Sequence, residues 1–213
     1  NMDVLIIGGG PAGAAAAITL TRYTDLSVSL VERAEFDDYR AGESVSPAIF
    51  PLLSYLGVER EQLEKMHLPS YGHAAAWGSD ELVVRDLLFS GQGNGMHLDR
   101  RQFDELLIGE AEKHGTVLYR PAKITSVNKT EQWEVKIQTG EEQLELMARY
   151  VIDCSGKNAL IVKQQQCSVH NQDNHVHHNR TNQLQDEHQL AARLPASALA
   201  IRRQWKRSKR LEP

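Results

Sequence analysis

The chain has 213 residues, of which 41% are hydrophobic and 24% charged, with a formal net charge of −4 at pH 7. That length can bury a real core, and the mild negative balance supplies no general attraction for nucleic acid or an anionic membrane. No run approaches the roughly 20 apolar residues that span a bilayer, no basic stretch precedes an apolar one as in a secretory signal, and Cys154 and Cys167 form neither a CxxC pair nor a disulfide framework. The expectation is a cytoplasmic protein with no nucleic-acid or membrane partner.

Val4-Leu5-Ile6-Ile7 is a continuous apolar run, the pattern of a strand buried on both faces. Glycines follow, then an alanine-rich helix over Ala12 to Leu20 and a second strand over Leu26 to Val31. Together they have the size of a βαβ unit. Pro47 to Leu56 has a helical rhythm, with Pro47 in its first turn and Gly57 at its end. Ser44 or Ser46 is a candidate N-cap for that helix. Tyr71 to Trp77 and Leu82 to Phe89 are expected strands about the turn Gly78-Ser79-Asp80, and Gly91 to Gly95 a loop. On those strands Tyr71, Trp77 and Phe89 are expected in the core rather than in an aromatic substrate cage.

Arg101 to Lys113 is an amphipathic helix with Phe103, Leu106, Leu107 and Ala111 on one side. Val117 to Tyr119 is a short strand. Ile124 to Asn128, Trp133 to Thr139 and Gln143 to Ala148 then alternate apolar and polar residues as a β-meander. A separate apolar strand, Tyr150 to Asp153, ends at Ser155-Gly156. From Lys163 to Ala192, seven Gln, four Asn and five His stand among only four Val or Leu. Such a segment cannot bury enough apolar area to offset the entropy of ordering it. Domain boundaries are expected at 1–162 and 163–213, with a partial insertion at about 68–95. The last residues, with Arg202, Arg203, Lys206, Arg207, Lys209 and Arg210, read as a solvated basic tail.

The segment with the clearest chemistry is Gly8-Gly9-Gly10-Pro11-Ala12-Gly13, a GxGxxG string between a strand and a helix. Gly8 permits the tight turn, Gly10 lets the backbone approach a pyrophosphate, and Gly13 lets helix and strand pack closely. The N–H groups and positive dipole end of the helix then face the phosphates. Glu32, with Arg33 beside it, ends the next strand, where a carboxylate can accept both ribose hydroxyls. This pattern serves FAD and NAD alike. Three histidines, His175, His177 and His178, lack the Cys or carboxylate company of a metal site, so no metal is expected. Cys154 reads as a small buried apolar residue rather than a nucleophile.

A long excursion, a meander and a second strand-plus-glycine signal at Asp153-Cys154-Ser155-Gly156 follow the glycine turn in place of further βα units. That layout resembles the FAD domain of glutathione-reductase-like flavoproteins. Within them the chain is similar to FAD-dependent monooxygenases of the aromatic-hydroxylase type, related to flavin-dependent halogenases and to flavoproteins of quinone-cofactor maturation. Tyr39-Arg40-Ala41-Gly42-Glu43-Ser44 resembles the stretch that passes beside the flavin. His97-Leu98-Asp99-Arg100-Arg101-Gln102-Phe103-Asp104 resembles the pattern in which an arginine before a helix contacts FAD; Arg100 is chosen, with Arg101 competing. Asp153 to Gly156 resembles an Asp-x-x-Gly element near the pyrophosphate. Leu68-Pro69-Ser70-Tyr71-Gly72 and Ala76-Trp77-Gly78-Ser79-Asp80 look most like the quinone-cofactor subgroup. The resemblance spans about residues 2 to 161, without the Trp-x-Trp-x-Ile-Pro string or a lysine near Gly42-Glu43-Ser44 that mark halogenases.

The resemblance implies an α/β fold, a Rossmann-type FAD/NAD(P)-binding domain with a β-meander and its substrate domain largely missing. It implies FAD held by Gly8, Gly10, Pro11, Ala12, Gly13, Glu32, Arg33, Arg40, Gly42, Glu43, Ser44, Arg100, Asp153 and Gly156. Arg40 would neutralise pyrophosphate charge. Electrons would come from NAD(P)H or a separate flavin reductase. Dioxygen would react through a flavin C4a-hydroperoxide to hydroxylate an aromatic small molecule or a peptidyl tryptophan. Such chemistry belongs largely to the flavin, and no catalytic acid, base or nucleophile is assigned. The alternatives are a prenyl-chain (geranylgeranyl-type) flavin reductase, or a truncated or frame-altered FAD-binding remnant without catalysis.

Overall fold

A computed structural model describes residues 1–36, 43–76, 81, 83–87, 91 and 93–164. Its centre is strand β1 (Met2–Ile7), with Val4 to Ile7 all buried. Side chains alternate across a strand, so Val4 and Ile6 join one apolar cluster and Leu5 the other. Helix α1 (Pro11–Tyr23) returns across the first face, and its small Ala14 and Ala17 are fully buried. Strand β2 (Val28–Val31) then pairs parallel to β1, Val4 opposite Val28 and Ile7 opposite Val31. Its four residues are all buried, as in a strand covered on both faces.

The next residues build a second layer. Strand β3 (Glu43–Val45) is followed by helices α2 (Ile49–Tyr55) and α3 (Arg60–Met66), strand β4 (Leu68–Ser70) and the hairpin β5 (Gly72–Ala75) with β6 (Val83–Asp86). Strand β7 (Gly95–Leu98) lies between β3 and β4 and pairs antiparallel to both. Helix α4 (Arg100–Lys113) starts one residue beyond β7. Asp99 caps it, accepting from the N–H groups of Arg101 and Gln102. Its Leu107, Ile108 and Ala111 close the core beneath α1.

Strand β8 (Val117–Tyr119) adds to the outer edge of β2. The chain then forms β9 (Lys123–Lys129), β10 (Trp133–Thr139) and β11 (Glu142–Asp153). The six-stranded sheet runs β8-β2-β1-β11-β10-β9. Its first four strands are parallel, and β10 and β9 are antiparallel. Val135, Ile137, Leu146 and Ala148 form a second core with Leu5 and Val31 on the opposite face of the sheet. A 3-10 turn (Gly156–Asn158) and α5 (Leu160–Gln164) follow. No helix among the described residues is long and apolar enough to cross a membrane.

Several elements differ from the sequence reading. The expected strands Gln143 to Ala148 and Tyr150 to Asp153 are one strand, β11. Arg149 does not break it, because its guanidinium turns outward and donates to Asp3 Oδ1 at 2.9 Å. Pro47 lies ahead of α2 rather than in it, and neither Ser44 nor Ser46 caps that helix. The cap is Ala48, with no side-chain hydrogen bond. Tyr71 is 43% exposed, not a core residue. The Gly-rich stretch expected as a loop ends in β7, and α3, β4 and β3 add elements between the βαβ unit and α4. The Gly78-Ser79-Asp80 turn, Trp77, Phe89, the histidine-rich stretch and the basic tail lie outside the described residues.

Candidate FAD site

The glycine turn joins β1 to α1. Gly8 has φ +104, a left-handed value that L side chains rarely adopt. A Cβ there would also collide with the carbonyl of Cys154. At Gly13 a Cβ would run into the Gly8 carbonyl, so this position sets the close approach of helix and turn. Gly10 differs from both. A Cβ built on it meets no atom within 4 Å, so its outer side is open. Gly10 is also the N-cap of α1, whose first turn has Pro11 at its start, no acidic residue and no side-chain cap. The first N–H groups of such a helix have no partner within it. Open space above a glycine, uncapped donors and the positive end of a helix dipole fit a pyrophosphate.

Glu32 follows β2 and is 7% exposed. Its Oε2 accepts from the Gly9 N–H at 2.6 Å and its Oε1 from the Ala34 N–H at 2.8 Å. The expected ribose acceptor is thus also the tie that holds the glycine turn to the end of β2. A carboxylate oxygen can accept more than one hydrogen bond, so a hydroxyl contact remains available to it. Arg33, next along the chain, is exposed.

The Asp153 segment stands against the same turn. Cys154 N–H donates to Ile7 O at 2.8 Å, which extends the parallel ladder past the ends of β1 and β11. Asp153 Oδ1 accepts from the Ser155 N–H at 3.0 Å and hydroxyl at 2.5 Å, while Oδ2 accepts from the Ile161 N–H at 2.9 Å. Burial opposes the charge on Asp153, but the bonds from Ser155 and Ile161 outweigh it and hold its carboxyl below the usual range. The carboxylate therefore shapes the Ser155–Ile161 turn. Gly156 has open space about its Cβ position. The Cys154 thiol is pushed up by burial and by the charge of Asp153, which makes it a poor nucleophile.

The Arg40-Ala41-Gly42 stretch lies outside the described residues. Glu43 and Ser44, which follow it, form β3 opposite Leu98 and His97. Ser44 Oγ lies 3.3 Å from the hydroxyl of the buried Ser70 on β4. Glu43 pairs with Arg100. Arg100 is the first residue of α4 and its side chain is only 18% exposed, whereas Arg101 points to solvent. The structure thus separates two arginines that were equivalent by spacing.

Two residues went unnoticed in the sequence. Asp104 is fully buried and grips Arg100 with both oxygens, at 3.1 and 3.2 Å. His67, 6% exposed, accepts the Asp99 N–H on Nδ1 at 3.2 Å, and its Nε2 has no partner among the described residues. Burial pushes its pKa down despite the opposing charge of Asp99. The spacing of Arg100 and Asp104, one helical turn apart, is a signal that could have been read. Among the described residues no cluster of three or more His, Cys, Asp or Glu could hold a metal.

A β-strand, glycine turn and helix placed at the carboxyl end of a parallel sheet, closed by Glu32 on one side and Asp153 on the other, define a Rossmann-type dinucleotide site. The chain matches the FAD binding domain family over residues 1–208 and belongs to it. It is 36% identical over 162 residues to the FAD-dependent oxidoreductase LodB of Marinomonas mediterranea, covering 75% of this chain and 44% of that protein. It is 30% identical over 171 residues to the tryptophan 2-halogenase of Chondromyces crocatus, covering 77% and 32%. Among solved structures, the flavin-dependent halogenase CmlS superposes with a TM-score of 0.67 at 26% identity, over 78% of this chain and 31% of that one. The chain spans less than half the length of these relatives, and its cofactor is FAD.

Proposed function

We propose that residues 1 to about 162 form the cofactor-holding part of a flavoprotein monooxygenase that acts on an aromatic substrate. The observation that carries this reading is the open side of Gly10 at the uncapped start of α1. In this reading the N–H groups of Ala12 and Gly13 bind the pyrophosphate of FAD, and Pro11 holds the first turn of the helix in shape. Glu32 receives the adenosine ribose. Arg100 contacts an oxygen of the cofactor from α4, and Gly156 gives it backbone room beside Asp153. The resemblance read in the sequence adds Arg33, Arg40, Gly42, Glu43 and Ser44 as further contacts to the cofactor. Bound FAD, reduced by NAD(P)H or by a separate reductase, would supply two electrons toward the reduction of dioxygen, one oxygen atom entering the substrate and the other leaving as water.

Support for an aromatic substrate comes from a relative named as a tryptophan 2-halogenase, beside others named as flavin-dependent halogenases. A peptidyl tryptophan is the more specific member of that class. The test begins with the purified chain freed of flavin and titrated with FAD or with NAD, following flavin fluorescence or heat. FAD uptake with no response to NAD supports the reading; a chain that takes up neither, or only NAD, overturns it. For the activity, the protein reduced under nitrogen is mixed with dioxygen and an aromatic substrate, and the product is weighed by mass spectrometry. Gain of one oxygen atom is expected. Turnover that proceeds equally well without dioxygen would replace this reading with a reductase acting on a prenyl chain.

A further inference from the structure

Arg100 is held from two sides by carboxylates in opposite surroundings. On one side Asp104, fully buried, takes Nε–H on Oδ1 and Nη2–H on Oδ2. This side-on fork fixes the plane of the guanidinium as well as its position. On the other side Nη1 donates to Glu43 Oε1, and the Glu43 side chain is 57% exposed. Both carboxylates raise the basicity of Arg100 against the opposing effect of burial, so it remains a cation throughout.

The two pairs differ in how readily they part. Opening the Asp104 pair would part the cation from a fully buried carboxylate, where breaking an ion pair is costly. Opening the Glu43 pair exposes a carboxylate that is already more than half in water, where an ion pair contributes little. Glu43 also opens β3, where it pairs with Leu98 of β7.

We infer that Asp104 is a positioning residue of the FAD site. It presents Arg100 in one orientation, while Glu43 occupies the outward N–H until an oxygen of the cofactor replaces it. The inference rests on the reading that Arg100 meets FAD. The guanidinium then needs no reorientation on binding, and the cofactor exchanges places with a carboxylate that water readily receives.

Four forms of the whole chain, freed of flavin, test this: the unaltered protein, Asp104→Asn, Glu43→Gln and Arg100→Gln. FAD affinity is read by flavin fluorescence, and folding by far-ultraviolet circular dichroism and its thermal midpoint. Asp104→Asn is expected to weaken FAD binding about tenfold or more, and Glu43→Gln to tighten it severalfold by removing the competitor. In an Arg100→Gln background the Asp104→Asn change should have no further effect on affinity, a coupling that a role in folding alone would not create. Unchanged affinity in Asp104→Asn, with weakening in Arg100→Gln, overturns the inference and leaves Arg100 in the site. Unchanged affinity in Arg100→Gln removes Arg100 itself, and the inference with it. If Asp104→Asn does not fold, Glu43→Gln decides: tighter binding supports the exchange, and equal or weaker binding overturns it.

Discussion

Gly10 and Gly13 belong to one motif, yet substitution by alanine should affect them in opposite ways. At Gly10, φ −70 and ψ −178 are ordinary for any residue, and an added methyl meets nothing within 4 Å. The folding cost is then the helix N-cap preference of glycine over alanine, at most about 1 kcal/mol, or roughly 2–4 °C in a domain of this size. The same methyl occupies the space through which a pyrophosphate oxygen reaches the first N–H groups of α1. Losing two hydrogen bonds to a charged group, at about 1.5–3 kcal/mol each, weakens FAD binding by roughly a hundredfold to ten-thousandfold. At Gly13 the methyl would overlap the Gly8 carbonyl, so Gly13→Ala should lower the melting midpoint sharply before affinity is measured at all. Circular dichroism melts and FAD titration separate the two effects. A Gly10→Ala protein that binds FAD as tightly as the unaltered chain would refute the placement of the pyrophosphate over Gly10.

Three further outcomes are expected. Glu32→Ala leaves the Gly9 and Ala34 N–H groups without their acceptor and should cost about 2–5 kcal/mol of stability, read by urea unfolding, besides weakening FAD. Glu32→Gln, which keeps one acceptor oxygen, should cost less, because one of the two N–H groups retains its partner. His67 has a folded pKa below its unfolded value near 6.5, so the unfolded chain binds more protons as pH falls. Stability should decline as pH drops below that value, and His67→Gln should flatten this part of a urea-midpoint profile; an unaltered profile would contradict a neutral buried ring. Asp3 is lowered to about 2 by hydrogen bonds from Ser27 and then by Arg149. Its contribution, full above the unfolded pKa, should be lost as pH falls from about 4 to about 2, and a carboxyl NMR titration should place the Asp3 midpoint at about 2; a midpoint near 4 would show that the Ser27 and Arg149 contacts do not persist in solution.

The parts legible in the sequence were those whose signals are local. Val4 to Ile7, the glycines and the alanines of α1 mark the βαβ unit within about thirty residues, and Trp133 to Thr139 shows the alternation of β10 at its full length. The parts missed depend on distant partners. β3, β4 and β7 have three or four residues each and exist through pairing with one another, which no short window records. Gly95 reads as part of a loop, but in β7 it is needed because a Cβ would strike the Val45 carbonyl. α3 has a capping box between Glu59 and Gln62 that could have been read, although only Leu63 is buried within it. Glu32 shows its second task, bracing the turn, only when Gly9 and Ala34 are brought to it in space.

β11 sets a limit on the order of events during synthesis. β1 can pair with β2 as soon as Val31 has left the ribosome, but its other edge waits for a strand that ends at Asp153. Asp3 and the arginine that binds it, Arg149, are 146 positions apart. At translation speeds of about 5–20 residues per second, one side of the central strand stays unpaired for roughly six to twenty-five seconds. During that interval an apolar strand presents an open edge, the feature that invites pairing with the wrong chain. Yield of the native protein should therefore depend on how well the nascent chain is shielded until Tyr150 to Asp153 emerge, more than on the stability of the finished sheet.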